Sequence, residues 1–442
     1  MRAGWRIAPA ICLCIVLAAS ALAPAAATAG SAPVPVEISG ALPGGGAFVL
    51  RSDPTVGDAA VELWFRAPGA GYDSRTPGIS RLAADAAAAS SAPGGTTLSK
   101  LVKRMGGVFS VNVFPDIVQV AASVPAGDAR RVVAAMTAAY TAPSVDQDGL
   151  NAAVLDAAFS IGERRFDADL TLRDRLFAQL FAGGPAHYPA TPGDVAALAH
   201  ISLAQVRTFA ERAFRPQNEI LTLAGNVDSS LLTAVAAGRS GPPMDQPFDS
   251  QPATAVKPLL QTAPVPGIGF GWLGPPIGDA REATALDFVA DYLFNQEDGI
   301  VAKTAGAQPS EIFVDGQFIT LHAPGVLLVT VSGSHYGAVK TELIEAVAAL
   351  RHPLPAAKFA AARNAFEYRI LRNAQTPTSQ ADNFGWYTAE GDGPYAPGDQ
   401  SHTYLREVES LDPQFVAKVV REYLEHPAVV ELTVPANQEA AR

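Results

Sequence analysis

Hydrophobic residues alternate with other residues along two segments near the start of the chain, Ala47 to Arg51 and Ala60 to Arg66. In the second segment Val61, Leu63 and Phe65 occupy every other position. This spacing is typical of a β-strand that buries one face, because successive side chains of a strand point to opposite sides. The pattern therefore predicts two strands joined by a turn.

Helical spacing follows these strands. The stretch from Ile79 to Ser90 is almost entirely alanine beyond Leu82, which predicts a buried helix, and Gly106-Gly107 ends the helix after it. Val108 to Phe114 and Val118 to Val124 then predict two paired strands. The other elements expected in the first half are helices at Leu98 to Met105, Asp128 to Tyr140, Asp148 to Arg165, Leu172 to Phe181 and Ser202 to Phe214, and a strand at Glu219 to Ala224.

The second half repeats the order of the first. Between Gly238 and Pro266 the periodicity gives way to Gly, Pro, Ser, Gln and Asp, a composition that predicts a linker. Beyond it we expect strands at Gly267 to Leu273, Gln317 to His322, Val326 to Gly333 and Val429 to Val434, and helices at Ala280 to Phe294 and from Tyr336, Ala356 and Asp412.

Each half ends in the same way, with a helix opened by Ser-Leu and followed by a strand, at Ser202-Leu203 and at Ser410-Leu411. The offset is close to half the chain, which indicates an internal duplication. We therefore predict an α+β fold of two similar domains, residues 30–237 and 267–442, each a mostly antiparallel sheet packed with helices and joined by the linker 238–266. The competing interpretation is that helix–strand endings recur by chance.

The first 29 residues predict a secretory signal peptide. Two arginines precede an uncharged stretch from Ile7 to Leu22, and Ala27-Thr28-Ala29 forms a cleavage site of small residues. A retained membrane anchor is the alternative, but the stretch is shorter than the roughly 20 residues that span a bilayer. Cys12 and Cys14 are the two cysteines of the chain, so the exported protein would hold no disulfide and no thiolate metal site. The expected location is periplasmic or secreted.

Acidic residues outnumber basic ones, with Asp+Glu at 43, Lys+Arg at 32 and a formal net charge of −11. A chain of this charge has no cationic field to hold nucleic acid or an anionic membrane surface. We therefore expect neither nucleic acid nor, once the signal is removed, a membrane among its partners.

Four motifs, in order along the chain, resemble the M16 family of insulinase, pitrilysin and mitochondrial processing peptidases. They are Arg75-Thr76-Pro77-Gly78 before a helix, Lys103-Arg104-Met105-Gly106-Gly107 leading into Val111-Asn112, Phe214-Arg215-Pro216-Gln217-Asn218, and Leu223-Ala224-Gly225-Asn226-Val227-Asp228. The resemblance covers nearly the whole mature chain. It implies two domains of the LuxS/metalloenzyme-like type that enclose a peptide chamber.

Active members of that family carry His-x-x-Glu-His on the helix after the Pro-Gly turn and a further glutamate ligand later in the chain. The histidines bind zinc and the glutamate activates the bound water. The matching residues here are Arg81-Leu82-Ala83-Ala84-Asp85, and the distal position falls at Asp156 or Ala157. The resemblance implies zinc, but these positions lack its ligands, so we expect no metal, no catalytic residue and no cofactor. Arg81 and Asp85, spaced i to i+4, instead predict a salt bridge.

Two further features, the histidines and a glycine-rich string, do not predict a metal or phosphate site. The seven histidines, His187, His200, His322, His335, His352, His402 and His426, include no pair at helical ligand spacing. The string Gly269-Phe270-Gly271-Trp272-Leu273-Gly274 fits G-x-G-x-x-G, but its alternation favours a strand over a phosphate-binding turn.

The strand after the Gly-Gly turn is the expected peptide-binding element, since in M16 proteins an extended peptide adds beside it. The candidate binding residues are Gly106, Gly107, Phe109 and Asn112. Backbone hydrogen bonds at a sheet edge would bind peptides with little sequence preference. The alternative is that this segment is an interior strand with a structural role only.

The sequence thus favours an exported, noncatalytic M16-like protein that binds peptide or completes the chamber of an active M16 partner subunit. Whether it is an enzyme is left open. One alternative is an active zinc peptidase with an unrecognised ligand set that includes Asp85 and Asp156. The other is a stand-alone peptide-binding or scaffold protein of the cell envelope.

Overall fold

The predicted strands form two separate sheets, one in each half of the chain. The computed structural model describes residues 35–66, 76–90, 95–182, 195–239, 241–242, 253, 256–308, 311–391 and 399–435. These residues belong to one compact unit that begins at Pro35. The predicted signal peptide, residues 1–29, lies outside the described residues, as do Arg75 and His187.

Eleven strands and fourteen helices make up the described part of the chain. The strands are β1 Val36–Ala41, β2 Ala47–Ser52, β3 Asp58–Arg66, β4 Val108–Val113, β5 Ile117–Pro125, β6 Glu219–Gly225, β7 Leu259–Thr262, β8 Gly267–Gly274, β9 Phe313–Ile319, β10 Gly325–Ser332 and β11 Ala428–Thr433. The helices are α1 Ile79–Ala89, α2 Leu98–Arg104, α3 Ala129–Thr141, α4 Gln147–Arg164, α5 Ala168–Leu180, α6 Val195–Ala199, α7 Leu203–Ala213, α8 Ala280–Phe294, α9 Ile300–Gly306, α10 Gly337–Leu350, α11 Ala356–Asn373, α12 Pro377–Glu390, α13 Asp399–Ser410 and α14 Pro413–Tyr423.

The two sheets have the same strand order. The first runs β1-β2-β6-β3-β5-β4 and the second β7-β11-β8-β10-β9. In each sheet one neighbouring pair, β2 with β6 and β7 with β11, is parallel and the other pairs are antiparallel. Apart from β1, every strand of the first sheet therefore has a counterpart in the second. The prediction of an α+β fold with two similar, mostly antiparallel domains is confirmed.

Alternation along β3 separates the two faces of the first sheet. Val61, Leu63 and Phe65 are fully buried in the core that this sheet forms with helices α1, α2, α3 and α7. Glu62 and Trp64 point to the opposite face, which is covered by α12. The sequence pattern predicts one buried face, but in the structure both faces of β3 are buried, one in the core and one under α12.

The two halves exchange one helix each. Helix α5 of the first half packs on β8, β10 and β11 of the second sheet, while α12 of the second half packs on β3 and β6 of the first. Along β8, a side chain at Gly269 would lie 2.9 Å from Leu176 and one at Gly271 would lie 3.0 Å from Leu180. These glycines leave room for the leucines of α5. The G-x-G string is therefore part of a strand, and the phosphate-binding interpretation is wrong.

Helix α12 approaches the first sheet through a glycine as well. A Cβ at Gly385 would lie 1.9 Å from Trp64 Nε1, so the indole ring occupies the space beside the helix backbone. Trp64 also meets Trp386 edge to face, with ring centroids 6.3 Å apart. Close contact between α12 and the sheet therefore requires a small residue at position 385.

Several elements differ from the prediction. Strand β7 lies within the predicted linker, and β6 lies between β2 and β3, so the first two predicted strands are not neighbours. Strand β9 begins at Phe313 rather than Gln317. Strand β1 and helices α6, α9, α12 and α13 are absent from the prediction; α6 and α9 are too short to show a clear apolar period, and α12 contains a glycine. None of the helices in the described ranges combines the length and apolarity needed to cross a bilayer. The predicted domain boundary stays a prediction.

Candidate functional site

A cavity of about 1310 Å³ lies between the two sheets. Elements of both halves line it: α1, β4, α4 and α5 from the first, and β9, α11, α12 and α13 from the second. The ends of the edge strands of both sheets border the cavity, at Asn112–Phe114 of β4 and at Gln317–Ile319 of β9. The cavity is therefore a chamber bordered on each side by one end of a sheet-edge strand.

The helix that carries the degenerate zinc motif faces this chamber. Gly78, with φ 91°, ends the turn before α1, and the helix buries its alanine face in the core of the first half. Arg81 emerges on the chamber side with 29% of its side chain exposed. The structure thus places the motif helix at the chamber wall.

Arg81 forms the predicted salt bridge. Its Nε donates to Asp85 Oδ2 at 2.5 Å, one helical turn away, which confirms the prediction. Asp156 lies on α4, the helix that packs beside α1. Its Oδ2 is 3.9 Å from Arg81 Nη2, and 68% of its side chain is exposed. Of the two distal positions considered, Asp156 approaches Arg81, while Ala157 is buried beside the chamber.

Ala84 takes the place of the catalytic glutamate and is fully buried. Its backbone oxygen accepts a hydrogen bond of 2.8 Å from the buried hydroxyl of Tyr140. A methyl group carries no proton-accepting atom, and the only polar contact at this position is made by the backbone. General-base chemistry therefore has no side chain here.

Two buried carboxyl groups stand near the chamber wall. Burial raises the pKa of Asp85 to about 6, although Arg81 lowers it and Asp156 raises it further. Burial likewise raises the pKa of Asp287, on the equivalent helix α8, to about 7, although the hydroxyl of Tyr404 donates to it at 2.8 Å. Both pKa values are raised towards neutral pH, and the charged residues that line the chamber are four arginines and two aspartates.

The donor set does not suit zinc, the metal that the fold implies. The two carboxylates at the motif positions face a guanidinium, a fixed cation, and no imidazole is present among them. Across the described ranges, with their gaps, no group of three or more His, Cys, Asp or Glu could hold a metal ion.

The predicted peptide-binding residues lie on or next to β4. Gly106, with φ 78°, and Gly107 form the turn, and a Cβ at Gly107 would lie 2.4 Å from the backbone oxygen of Ser123. Phe109 packs on the core of the first half, whereas Asn112 faces the chamber. The structure thus brings Asn112, and not Phe109, to the chamber.

Strand β4 lies at the edge of the first sheet. Among the described residues it pairs with β5 only, and its first residue, Val108, is 71% exposed. The alternative interpretation, an interior strand, is wrong. One side of the β4 backbone is left to pair with an added strand.

A buried polar network behind Asn112 was missed from the sequence. Asn112 Nδ2 donates to Gln119 Oε1 at 2.8 Å, and Gln119 Nε2 donates to Glu62 Oε2 at 3.1 Å and to Asp382 Oδ1 at 2.5 Å. Burial, followed by the nearby Asp382, raises the pKa of Glu62 well above its ordinary value. Glu62 is a charged residue in an otherwise apolar strand, and this pattern indicates a buried polar network. Its neighbour on α12, Asp382, is remote in the chain, so the sequence pattern does not identify it.

Comparison with solved structures gives the class of fold. The chain is similar to a protease from Helicobacter pylori, with a TM-score of 0.78, 16% identity and coverage of 90% of this chain and 100% of that one. It is also similar to a peptidase M16 inactive domain from Pseudomonas fluorescens, with a TM-score of 0.74, 15% identity and coverage of 91% and 98%. It is similar as well to a putative M16-like peptidase from Alicyclobacillus acidocaldarius, with a TM-score of 0.75, 14% identity and coverage of 91% of this chain and 99% of that one.

The chain therefore has the M16 peptidase-like fold over nearly its whole described length, and one of its structural neighbours is an inactive M16 domain. No model of a protein family matches the sequence, and no curated protein matches it. The residues at the motif positions, Arg81, Ala84 and Asp85, distinguish this chain from the active pattern that the fold implies.

Proposed function

We propose that this protein is an exported, noncatalytic M16-like protein that binds an extended peptide in its chamber and serves an active M16 chain as its partner subunit. One observation carries the proposal: an Arg81–Asp85 ion pair occupies the motif helix, while the edge strand β4 ends at the same chamber.

The chamber size supports a peptide as the ligand. Pockets for small molecules typically measure about 300–1,000 Å³, and this chamber reaches about 1310 Å³. The six residues of β4 extend over about 20 Å at ~3.3 Å per residue. Asn112 and Val113 of β4 line the chamber, so a peptide that adds along β4 would enter the chamber at this end of the strand.

The ion pair supports the absence of catalysis. Hydrolysis at a zinc site needs neutral ligands around the metal and a base beside the bound water. Arg81 supplies a permanent positive charge and Ala84 a methyl group, so neither requirement is met by the motif helix.

Two further observations support the proposed export and the proposed pairing with an active chain. The signal-like segment at residues 1–29 supports a periplasmic or secreted location. The similarity to an inactive M16 domain from another organism supports a role beside a catalytic chain.

The first experiment measures peptide binding and cleavage by the purified protein. Fluorescent unstructured peptides should bind with micromolar affinity and remain intact, with and without added zinc. Stoichiometric zinc together with cleavage that a chelator stops would instead establish the active-peptidase alternative.

A ligand-side control tests binding at the strand edge. N-methylation of every second amide of the peptide removes one set of backbone donors, and methylation of the other set removes the alternate donors. Because a strand at an edge uses alternate amides, one set should abolish binding and the other should leave it nearly unchanged. Equal effects of both sets would contradict strand addition.

Co-expression with an active M16 chain from the same genome tests the pairing. We expect one complex by size analysis and higher peptidase activity than the active chain has alone. A protein that binds peptide but never associates with such a chain would be a stand-alone binding protein.

A further inference from the structure

The guanidinium of Arg81 is held at one end only. Asp85 is largely buried and accepts from Nε, so it fixes the base of the guanidinium at the chamber wall. Within the described part of the chain this is the one hydrogen bond that Arg81 makes, since Asp156 stands 3.9 Å from Nη2. Both terminal nitrogens can therefore take a further acceptor.

Other arginines of the chamber wall are engaged differently. Arg164 donates through Nε and Nη2 to both carboxylate oxygens of Asp174. Arg173 donates through Nε to Asp169 and through Nη2 to Asp315. These two cations already use terminal nitrogens on partners within the protein, so Arg81 is the better placed to receive an anion.

Asp156 is a weak competitor for Arg81. Its carboxylate is exposed and lies beyond hydrogen-bond distance, and such ion pairs contribute little. A ligand carboxylate that enters the chamber can displace it at small cost. The two terminal nitrogens of a guanidinium match the two oxygens of a carboxylate, which gives parallel charge-assisted hydrogen bonds.

We propose that the terminal nitrogens of Arg81 bind a carboxylate of the peptide in the chamber, so that the protein selects peptides that present a free carboxylate there. This rests on the proposed peptide binding. The position that would hold a dication in an active M16 peptidase thus becomes an anion site with a cation of its own.

The test compares four versions of one fluorescent peptide: free C-terminus or C-terminal amide, each with either Asp and Glu or Asn and Gln inside the sequence. The wild-type protein should bind a carboxylate version about tenfold or more tightly than the neutral one, as expected for hydrogen bonds to a charged group. The version that loses affinity identifies the source, chain terminus or side chain.

Two variants assign the effect to Arg81. In the double variant R81Q/D85N no buried carboxylate is left unpaired, and the ratio of affinities for the carboxylate and neutral peptides should fall to about one. In Asp156→Asn the competing charge is gone, and affinity for the carboxylate peptide should rise a few-fold. Thermal unfolding of each variant checks that it is folded.

Equal binding of all four peptides by the wild type and by Asp156→Asn would overturn this inference while leaving the proposed peptide binding intact. A carboxylate preference that persists in R81Q/D85N would also overturn it. If no version of the peptide binds the wild type at any pH, the proposed function fails and this inference fails with it.

Discussion

At the scale of single residues, Glu219 is unusual because it is an acidic side chain buried in the protein interior. It opens β6, is 1% exposed, and neither carboxyl oxygen has a hydrogen-bond partner in the described part of the chain. Burial alone raises its pKa to about 8. An acidic group in such a place is kept neutral by its surroundings, because a buried unpaired charge is costly.

Stability should therefore fall as pH rises. The folded protein keeps the Glu219 proton to about pH 8, whereas the unfolded chain releases it near 4.5. The contribution of this group is complete below pH 4.5 and is lost as pH rises through 8. We expect Glu219→Gln to abolish that part of the loss, on the order of a few kcal/mol, in urea unfolding at pH 5 and pH 9.

The control is Glu345→Gln on the exposed face of α10, which should keep the wild-type difference between the two pH values. Other buried carboxyls, such as Asp287, contribute their own pH dependence in every variant. The comparison of the two variants therefore isolates Glu219, and equal pH dependence in both would refute the prediction.

At the scale of elements, small residues decide how each exchanged helix meets its sheet. Gly269 and Gly271 of β8 face the leucines of α5, and Gly385 of α12 faces Trp64 of β3. Residues without a Cβ allow backbone and side chains to approach closely, at a cost in chain entropy. Glycines thus allow close packing at both interfaces. They lie on the strand where α5 meets β8, and on the helix where α12 meets β3.

Gly385→Ala should be strongly destabilising. Its Cβ would lie 1.9 Å from Trp64 Nε1, and contacts with Phe114 and Trp386 restrict movement of the indole ring. Overpacking of this kind costs about 1–3 kcal/mol. Thermal unfolding should show a midpoint several degrees below that of the wild type.

Gly162→Ala is the matched control, since it lies inside helix α4 with no atom within 4 Å of the added Cβ. This substitution should leave stability unchanged or raise it by about 0.5–1 kcal/mol, as glycine to alanine does in an unhindered helix. A similar fall in both variants would mean that the contact with Trp64 is not the cause.

At the scale of the whole molecule, the exchange makes each half dependent on the other. Helix α12 brings Asp382 beside Glu62 and Glu390 beside Asp116, so two carboxyl pairs join the second half to the first sheet. Burial raises the pKa of Asp116 and of Glu390. Asp116 raises the pKa of Glu390 further, whereas Glu390 lowers that of Asp116, and contacts with His322 lower both. Protonation of these carboxyls therefore favours closed contact between the halves.

Neither half should fold by itself. A fragment that ends at Ala237 would expose Leu172 and Leu176 of α5, and the remaining fragment would expose the face of α12. Circular dichroism should show little cooperative unfolding for either fragment, whereas co-expression should give a folded complex of both. Cooperative unfolding of one fragment in isolation would contradict this dependence.

Much of the local structure could be predicted from the sequence. The alternation of Val61, Leu63 and Phe65 located β3, and the alanine-rich stretch located α1. The i to i+4 spacing of Arg81 and Asp85 predicted their salt bridge. These features depend on residues that are neighbours in the chain, so the periods of helix and strand are sufficient to infer them.

The chamber and its polar network could not be predicted. Gln119 meets Asp382, and α5 meets β8, across separations that no local pattern encodes. Phe109 and Asn112 point to opposite faces of β4 because they are three residues apart, but which of these faces borders the chamber depends on how the sheet is covered. Which partner a buried carboxyl finds is likewise a matter of packing between distant segments.

The sequence by itself determined the duplication and the absence of a His-x-x-Glu-His motif, since each is a property of residue type and spacing. Only the tertiary structure decided that the halves exchange helices, that β4 is an edge and that Arg81 faces a chamber with two terminal nitrogens unused. The reason is physical: apolar surfaces and hydrogen-bonding groups must be satisfied over the whole chain at once, and many arrangements share the same local pattern.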